Sequence, residues 1–185
     1  MKQQQQLLLL ILAFGVFSIL NTEMGIIGIL PMAAEMYQVD IVQAGLLVSL
    51  FALGVAIAGP TMPLLFSRFN RKRVMLLVLG VFTLCNALAG FASDFEVLRV
   101  LRVVPAFFHP VYCALAFSVA AALVAPEDAP RAVARINMGV AAGMVVGVPI
   151  SNVLAATFDF SGAMPFFAGG TGLMFLLTMA FVPDL

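Results

Sequence analysis

Three ionisable side chains stand where apolar sequence surrounds them. Glu23 interrupts the stretch from Leu7 to Ala34, Arg102 lies near the start of another stretch, and His109 precedes Pro110 further along it. At 1.5 Å per helical residue, Glu23 is about 24 Å from one end of its stretch and about 16 Å from the other, beyond the reach of its arm to water. An ionisable group near a bilayer centre costs roughly 2.5–3.5 kcal/mol on insertion scales, so it faces a cavity or a partner and handles protons, ions or substrate. With an outer boundary near Phe95, Arg102 is about 10 Å deep. The depths are close enough that Glu23 and Arg102 are expected to approach each other or share a water-filled cavity, each reducing the cost of the other. The alternative is an Arg102 that snorkels outward toward Asp94 and Glu96. At His109-Pro110 the proline removes a helical hydrogen bond and disfavours helix at the residue before it. An imidazole at such a kink either relays protons or bonds a freed carbonyl.

The elements that must position these groups follow from composition. Of 185 residues, 63% are hydrophobic and 10% charged, with a mean hydropathy of +1.14. That is a membrane composition. Apolar segments of about the length needed to cross roughly 30 Å of hydrocarbon predict six spans, at 7–34, 42–66, 74–93, 97–126, 136–158 and 160–183. The runs are continuously apolar rather than alternating, which selects helices over barrel strands. The fold class is therefore all-α integral membrane, a single domain of residues 1–185 with short loops and antiparallel neighbours.

Charge distribution orients the bundle. Lys2, Arg68, Arg71, Lys72, Arg73, Arg131 and Arg135 belong to the amino terminus and the second and fourth loops, while the first and fifth loops hold no Lys or Arg. Both termini are then expected to be cytoplasmic. Lys2 and the apolar run after it imitate a secretion signal, yet the run continues to Ala34 without a persuasive cleavage site. Cys85 and Cys113 lie within spans and lack metal or redox spacing, so they read as structural thiols. A single histidine excludes a His-Glu-x-x-His zinc site. No nucleophile and base pair presents itself, so no enzyme, metal or cofactor is expected.

If six spans form two sets of three, the first and fourth occupy equivalent positions in inverted orientation, the design in which sites form near the midplane. Those two spans carry the embedded charge. Asn21, Asn86, Asn137 and Asn152 are candidates for the same cavity or for holding helices together. Phe14, Phe17, Phe51, Phe107, Phe108 and the methionines either form an adaptable apolar wall or face lipid. Gly139, Gly143 and Gly147, followed by Val148 and Pro149, form a small-residue stripe that packs within the bundle or against a second six-helix unit.

At these residues the sequence resembles the major facilitator superfamily, and within it the arabinose-efflux-permease-like group of drug:proton antiporters. Phe17 to Pro31 resembles that group's first helix, with Glu23 in the place of its embedded Glu. Ser67-Arg68-Phe69-Asn70-Arg71-Lys72-Arg73 resembles the basic signature between the second and third helices, G-x-L-a-D-[RK]-x-G-[RK]-[RK]. Pro63, Ser67 and Asn70 replace its first Gly, its Asp and its second Gly, so the Asp-based gate is not carried over while the basic cluster remains. Arg102 matches the fourth-helix Arg tied to proton coupling, and Gly139 to Pro149 is similar to the fifth-helix antiporter motif. Where relatives have Gly-Trp-Arg after the fifth helix, this chain reads Asp159-Phe160-Ser161-Gly162-Ala163.

The resemblance implies one half of a twelve-helix fold, two inverted three-helix repeats, and proton-coupled efflux of small molecules across a cytoplasmic membrane. Glu23, Arg102 and His109 would couple protons, Asn21, Asn86 and Phe107 would line the substrate cavity, and the proton itself would be the coupling ion. Expected partners are a small-molecule substrate, the lipid membrane and a second six-helix half or another copy, with no nucleic acid. Three arrangements remain open: a truncated product, a dimer, or pairing with a separate half. The reading from a different class is a half-size membrane subunit that transports nothing.

Overall fold

The computed structural model describes residues 3–184, so Lys2, one of the charges used for orientation, lies outside the described residues. The first helix, α1, spans Gln3–Met36 with Pro31 inside it. Next, α2 (Ile41–Ala58) stops at Gly59 and Pro60, where proline cannot donate and disfavours helix at the residue before it. A short α3, Met62–Phe66, then resumes, so the stretch predicted as one span at 42–66 is divided in two.

Side-chain caps start the next two long helices. Asn70 accepts a bond from the Arg73 backbone N–H at 3.0 Å to open α4 (Arg71–Ala89), and Asp94 accepts one from the Glu96 N–H at 3.1 Å to open α5 (Phe95–Ala122). A 3-10 turn at Pro126–Asp128 leads into α6, Ala129–Phe181, whose backbone is broken at Asp159 (φ 61°, ψ −178°). Helix is the only regular structure among the described residues. Five helical stretches are long and apolar enough to cross a membrane.

The break at Asp159 turns the last of these into two crossings. Gly139, Gly143 and Gly147 meet α1 at Ala13, Phe17 to Asn21, and Met24, so the arm 129–158 runs parallel to α1. Beyond the break, Phe167 meets Gly25 and Gly170 lies beside Ser18, so the arm 160–181 runs antiparallel to it. Gly172 against Thr83 and Gly90 against Met164 set α4 antiparallel to that second arm. Helix α5 opposes α1, with Arg102 reaching Thr22 and Tyr112 reaching Gly15. Six crossings alternate in direction as two inverted sets of three.

Two large apolar clusters fill most of the bundle, beside a small one of Leu8, Ile11 and Val182. One holds Leu9, Leu12, Val16, Ile19, Phe82, Val111 and Ala116, and the other holds Ile26, Ile29, Leu47, Leu98, Phe160 and Phe167. Along α1 the two large clusters are separated by the stretch 21–25, where Asn21 and Thr22 are buried; Asn86 of α4 and Arg102 of α5 bond Thr22, and the buried Thr171 of α6 meets Thr83 of α4. A polar layer therefore crosses the middle of the bundle, at the depth where unpaired polar groups are most costly.

Candidate functional site

The polar layer is held by hydrogen bonds between helices. Thr22 Oγ donates to the Ser18 carbonyl at 3.0 Å, the ordinary way for a hydroxyl to be satisfied inside a helix, and accepts from Asn86 Nδ2 at 3.4 Å. Thr83 Oγ donates to Thr171 Oγ at 3.1 Å, and Thr171 is bonded back to the Phe167 carbonyl at 3.0 Å. These bonds tie α1 to α4 and α4 to α6.

Arg102 is inserted into this layer with 1% of its surface exposed. Its Nη1 donates to the Thr22 carbonyl at 3.0 Å, and the guanidinium lies 5.0 Å from the centre of the Phe51 ring. The aromatic face supplies part of what water would have supplied, since a desolvated guanidinium is attracted to the ring's negative face. Nε and Nη2 have no hydrogen-bond partner among the described residues. Outward snorkelling toward Asp94 and Glu96 does not occur; Glu96 pairs instead with Arg99.

Glu23 meets His109. Its Oε2 is 3.0 Å from His109 Nε2, with 18% of the glutamate side chain and 11% of the histidine side chain exposed. The approach is close but not aligned as a hydrogen bond, and His109 Nδ1 is also without a partner. The imidazole thus bonds no freed carbonyl at the Pro110 break. Its ring stands edge-on to Phe51, 6.0 Å between centres, so Phe51 contacts both His109 and Arg102. Arg102 and Glu23 are near enough to interact electrostatically, while the direct side-chain contact of Glu23 is to His109.

The other predicted residues are dispersed. Asn86 bonds Thr22, and Asn21 is buried beside Gly147 with its Oδ1 unpartnered among the described residues. Asn137 and Asn152 are exposed, as is Pro149, while Phe107 lies against α2 near Gly54. Phe14 and Phe17 line an apolar groove of about 510 Å³ between α1 and the first arm of α6, with Leu10, Met138 and Arg135 on its rim. Glu23 is not among the residues lining it. Arg68, Arg71 and Arg73 are exposed and Lys72 half-buried, and none of the four pairs with a carboxylate among the described residues.

The glycine stripe packs within this chain. A Cβ on Gly143 would stand 2.6 Å from Leu20 Cβ, and one on Gly147 would stand 3.1 Å from Met24 Cβ. The close approach is to α1, as the reading of packing within the bundle expects. Sequence reasoning missed Thr22, and it read Phe51 as a wall or lipid-facing residue rather than as the ring beneath Arg102. Neither residue type stands out in an apolar run, and only the rotation of α5 about its axis brings Arg102 onto them.

A bundle of six alternating crossings with a buried charged layer is the fold of a membrane transporter half, and comparison with known proteins gives its family. The chain belongs to the Major Facilitator Superfamily, whose model matches residues 12–185. It is 34% identical over 174 residues to the inner membrane transport protein YdhP of Escherichia coli (strain K12), covering 94% of this chain and 44% of that protein. It is 30% identical over 177 residues to the uncharacterized MFS-type transporter YfhI of Bacillus subtilis (strain 168), covering 96% and 45%. It is 28% identical over 152 residues to AraJ of Escherichia coli (strain K12), covering 82% and 39%. The fold is that of a bacterial homolog of the human lysosomal transporter Spinster in an inward-facing, unoccupied conformation, with a TM-score of 0.79, 18% identity, and coverage of 100% of this chain and 44% of that one. The chain spans less than half the length of these relatives.

Proposed function

We propose that this six-helix unit is the proton-coupling half of an efflux antiporter for small molecules in a cytoplasmic membrane, with both termini on the cytoplasmic side. The observation that carries the reading is the contact between Glu23 and His109, two titratable groups within apolar helices and both largely buried. A protonated Glu23 is neutral and tolerates an apolar surrounding; a deprotonated one requires a cation or water. Differential affinity of the proton for the two access states then shifts their populations. Arg102, fixed by Thr22 and Phe51, is a permanent positive charge that biases the exchange. The parallel packing of α1 and the first arm of α6 gives the unit a rigid body that can rock against a second half.

The test is reconstitution in liposomes with an imposed proton gradient and a panel of lipophilic cations, sugars and metabolites. Gradient-driven movement that disappears in Glu23→Gln supports the proposal. Unchanged gradient-driven movement in Glu23→Gln defeats the assignment of the carboxylate.

A second reading is that the unit carries nothing and acts by associating with another half. It is favoured by the basic loop, where Ser67 stands for the gate Asp and four cations lack a carboxylate partner among the described residues. Absence of transport in a preparation whose native mass shows two joined six-helix units would favour this reading.

A further inference from the structure

We infer that His109 is the residue through which protons reach Glu23, with Nδ1 as the entry atom and Nε2 as the delivery atom; this rests on the proton-coupled reading above. Imidazole is suited to such a step because its two ring nitrogens can hold and release protons on opposite sides of one side chain. In this structure the two nitrogens face different surroundings. Nε2 is 3.0 Å from Glu23 Oε2, close enough for direct transfer after a small rotation. Nδ1 is buried and unpartnered among the described residues, in a residue with 9% of its surface exposed. A buried imidazole nitrogen without a partner is costly; the relay requires a water molecule to reach Nδ1, and that water would also remove the cost.

The proton balance is simple. Water-borne H⁺ binds Nδ1 of the neutral, Nε2-protonated ring; the resulting imidazolium gives its Nε2 proton to the Glu23 carboxylate, leaving a neutral ring protonated on Nδ1 and a neutral carboxylic acid. Rotation of the ring, or reverse transfer, resets the tautomer. Pro110 immediately follows His109 and cannot donate a backbone bond, which leaves the turn around the imidazole with fewer constraints than a continuous helix would impose.

Other groups around the pair do not take the same role. On α5, Arg102 is permanently charged, and Tyr112 and Cys113 lie on the far side of His109 in sequence, Tyr112 pointing to Gly15. Cys113 is in electrostatic range of Glu23. Helix α2 contributes only the Phe51 ring and contains no charged residue, α4 brings Asn86 and the thiol Cys85, and α6 brings the hydroxyls Ser151, Thr171 and Thr178. His109 is the one side chain among these that both touches the carboxylate and offers a second titratable atom.

Because the sequence has one histidine, imidazole ¹⁵N resonances of the chain in lipid nanodiscs belong to His109 without ambiguity. The proposal expects ring protons that exchange with water through Nδ1, and an Nε2 resonance whose pH response is altered on Glu23→Gln. A ring whose Nδ1 is protected from water exchange, or an Nε2 resonance indifferent to Glu23→Gln, overturns it. These readings need no substrate, so they stand or fall apart from the transport assay. Where His109→Gln folds, it should keep substrate exchange without a gradient and lose gradient-driven accumulation; retention of both also overturns the relay.

Discussion

Gly139 rests on the backbone of Ala13. A Cβ at position 139 would lie 2.3 Å from the Ala13 carbonyl oxygen and 3.0 Å from its carbonyl carbon. Neither atom can move without moving the helix, so one methyl group forces α1 and α6 apart. Overpacking of this kind costs about 1–3 kcal/mol. Gly139→Ala should lower the thermal unfolding midpoint in detergent, whereas Gly45→Ala, where nothing lies within 4 Å of the new atom, should hold or raise it, since alanine is favoured in a helix by roughly 1 kcal/mol. Equal midpoints for the two variants would contradict this packing.

Arg102 is held by one charge-assisted hydrogen bond and one aromatic face. Removing it with Arg102→Ala should cost about 2–4 kcal/mol, combining roughly 1.5–3 for the bond to the Thr22 carbonyl with part of the cation–π attraction. Arg102→Lys should recover less than half, because a compact ammonium cannot lie flat on Phe51 while donating to Thr22. Denaturant or thermal unfolding of the three proteins decides it, and full recovery by lysine would refute the geometry.

Tyr37 latches neighbouring ends of two hairpins, α1–α2 and α4–α5. Its hydroxyl donates to the Ala92 carbonyl at 2.7 Å, and its ring packs against Phe95 and Phe160. Tyr37→Phe should cost about 1 kcal/mol. Burial raises the Tyr37 phenol above its ordinary value of 10.0, so the folded state favours the protonated form. The latch is fully present below pH of about 10 and weakens as pH rises through the raised folded value. Wild type should therefore lose its advantage over Tyr37→Phe in alkaline solution; a difference independent of pH up to that range and beyond would count against the latch.

Asp159 takes a backbone conformation that glycine adopts readily and other residues rarely do (φ 61°, ψ −178°). Holding it costs on the order of 1–3 kcal/mol. Asp159→Gly should raise the unfolding midpoint and Asp159→Val should lower it. The reverse order would mean that the aspartate side chain contributes more than the backbone loses.

Glu23 was legible because a single charge in an apolar run cannot be satisfied by the sequence around it. Its partner was not, because rise per residue gives depth along a helix and says nothing about reach or rotation. Arg102 and His109 are seven residues apart on α5, close to two turns, and so share a face; the arginine extends to the Thr22 carbonyl while the imidazole takes the carboxylate. The two crossings on either side of Asp159 were readable from that one charge between apolar runs, although no glycine or proline marks the reversal. Pro60 did carry a signal for the division between α2 and α3, but the uninterrupted apolar character of 42–66 outweighed it. The glycine stripe was visible as a surface for close approach, whereas the identity of the approaching helix depends on topology, which spacing does not encode.

The contact of Gly139 with Ala13 also dictates an order of events during synthesis. Gly139 and Ala13 are roughly 130 residues apart, which at about 5–20 residues per second separates their emergence from the ribosome by roughly 6 to 25 s. Through that interval the first helix must wait in the bilayer, or in the protein-conducting machinery, without the glycine face that later packs along it, and for part of it Glu23 also lacks the imidazole of His109. Neutralisation of Glu23 by a proton would make that wait cheaper. The contact with His109 and the docking of α6 follow only later, so that assembly itself completes the site.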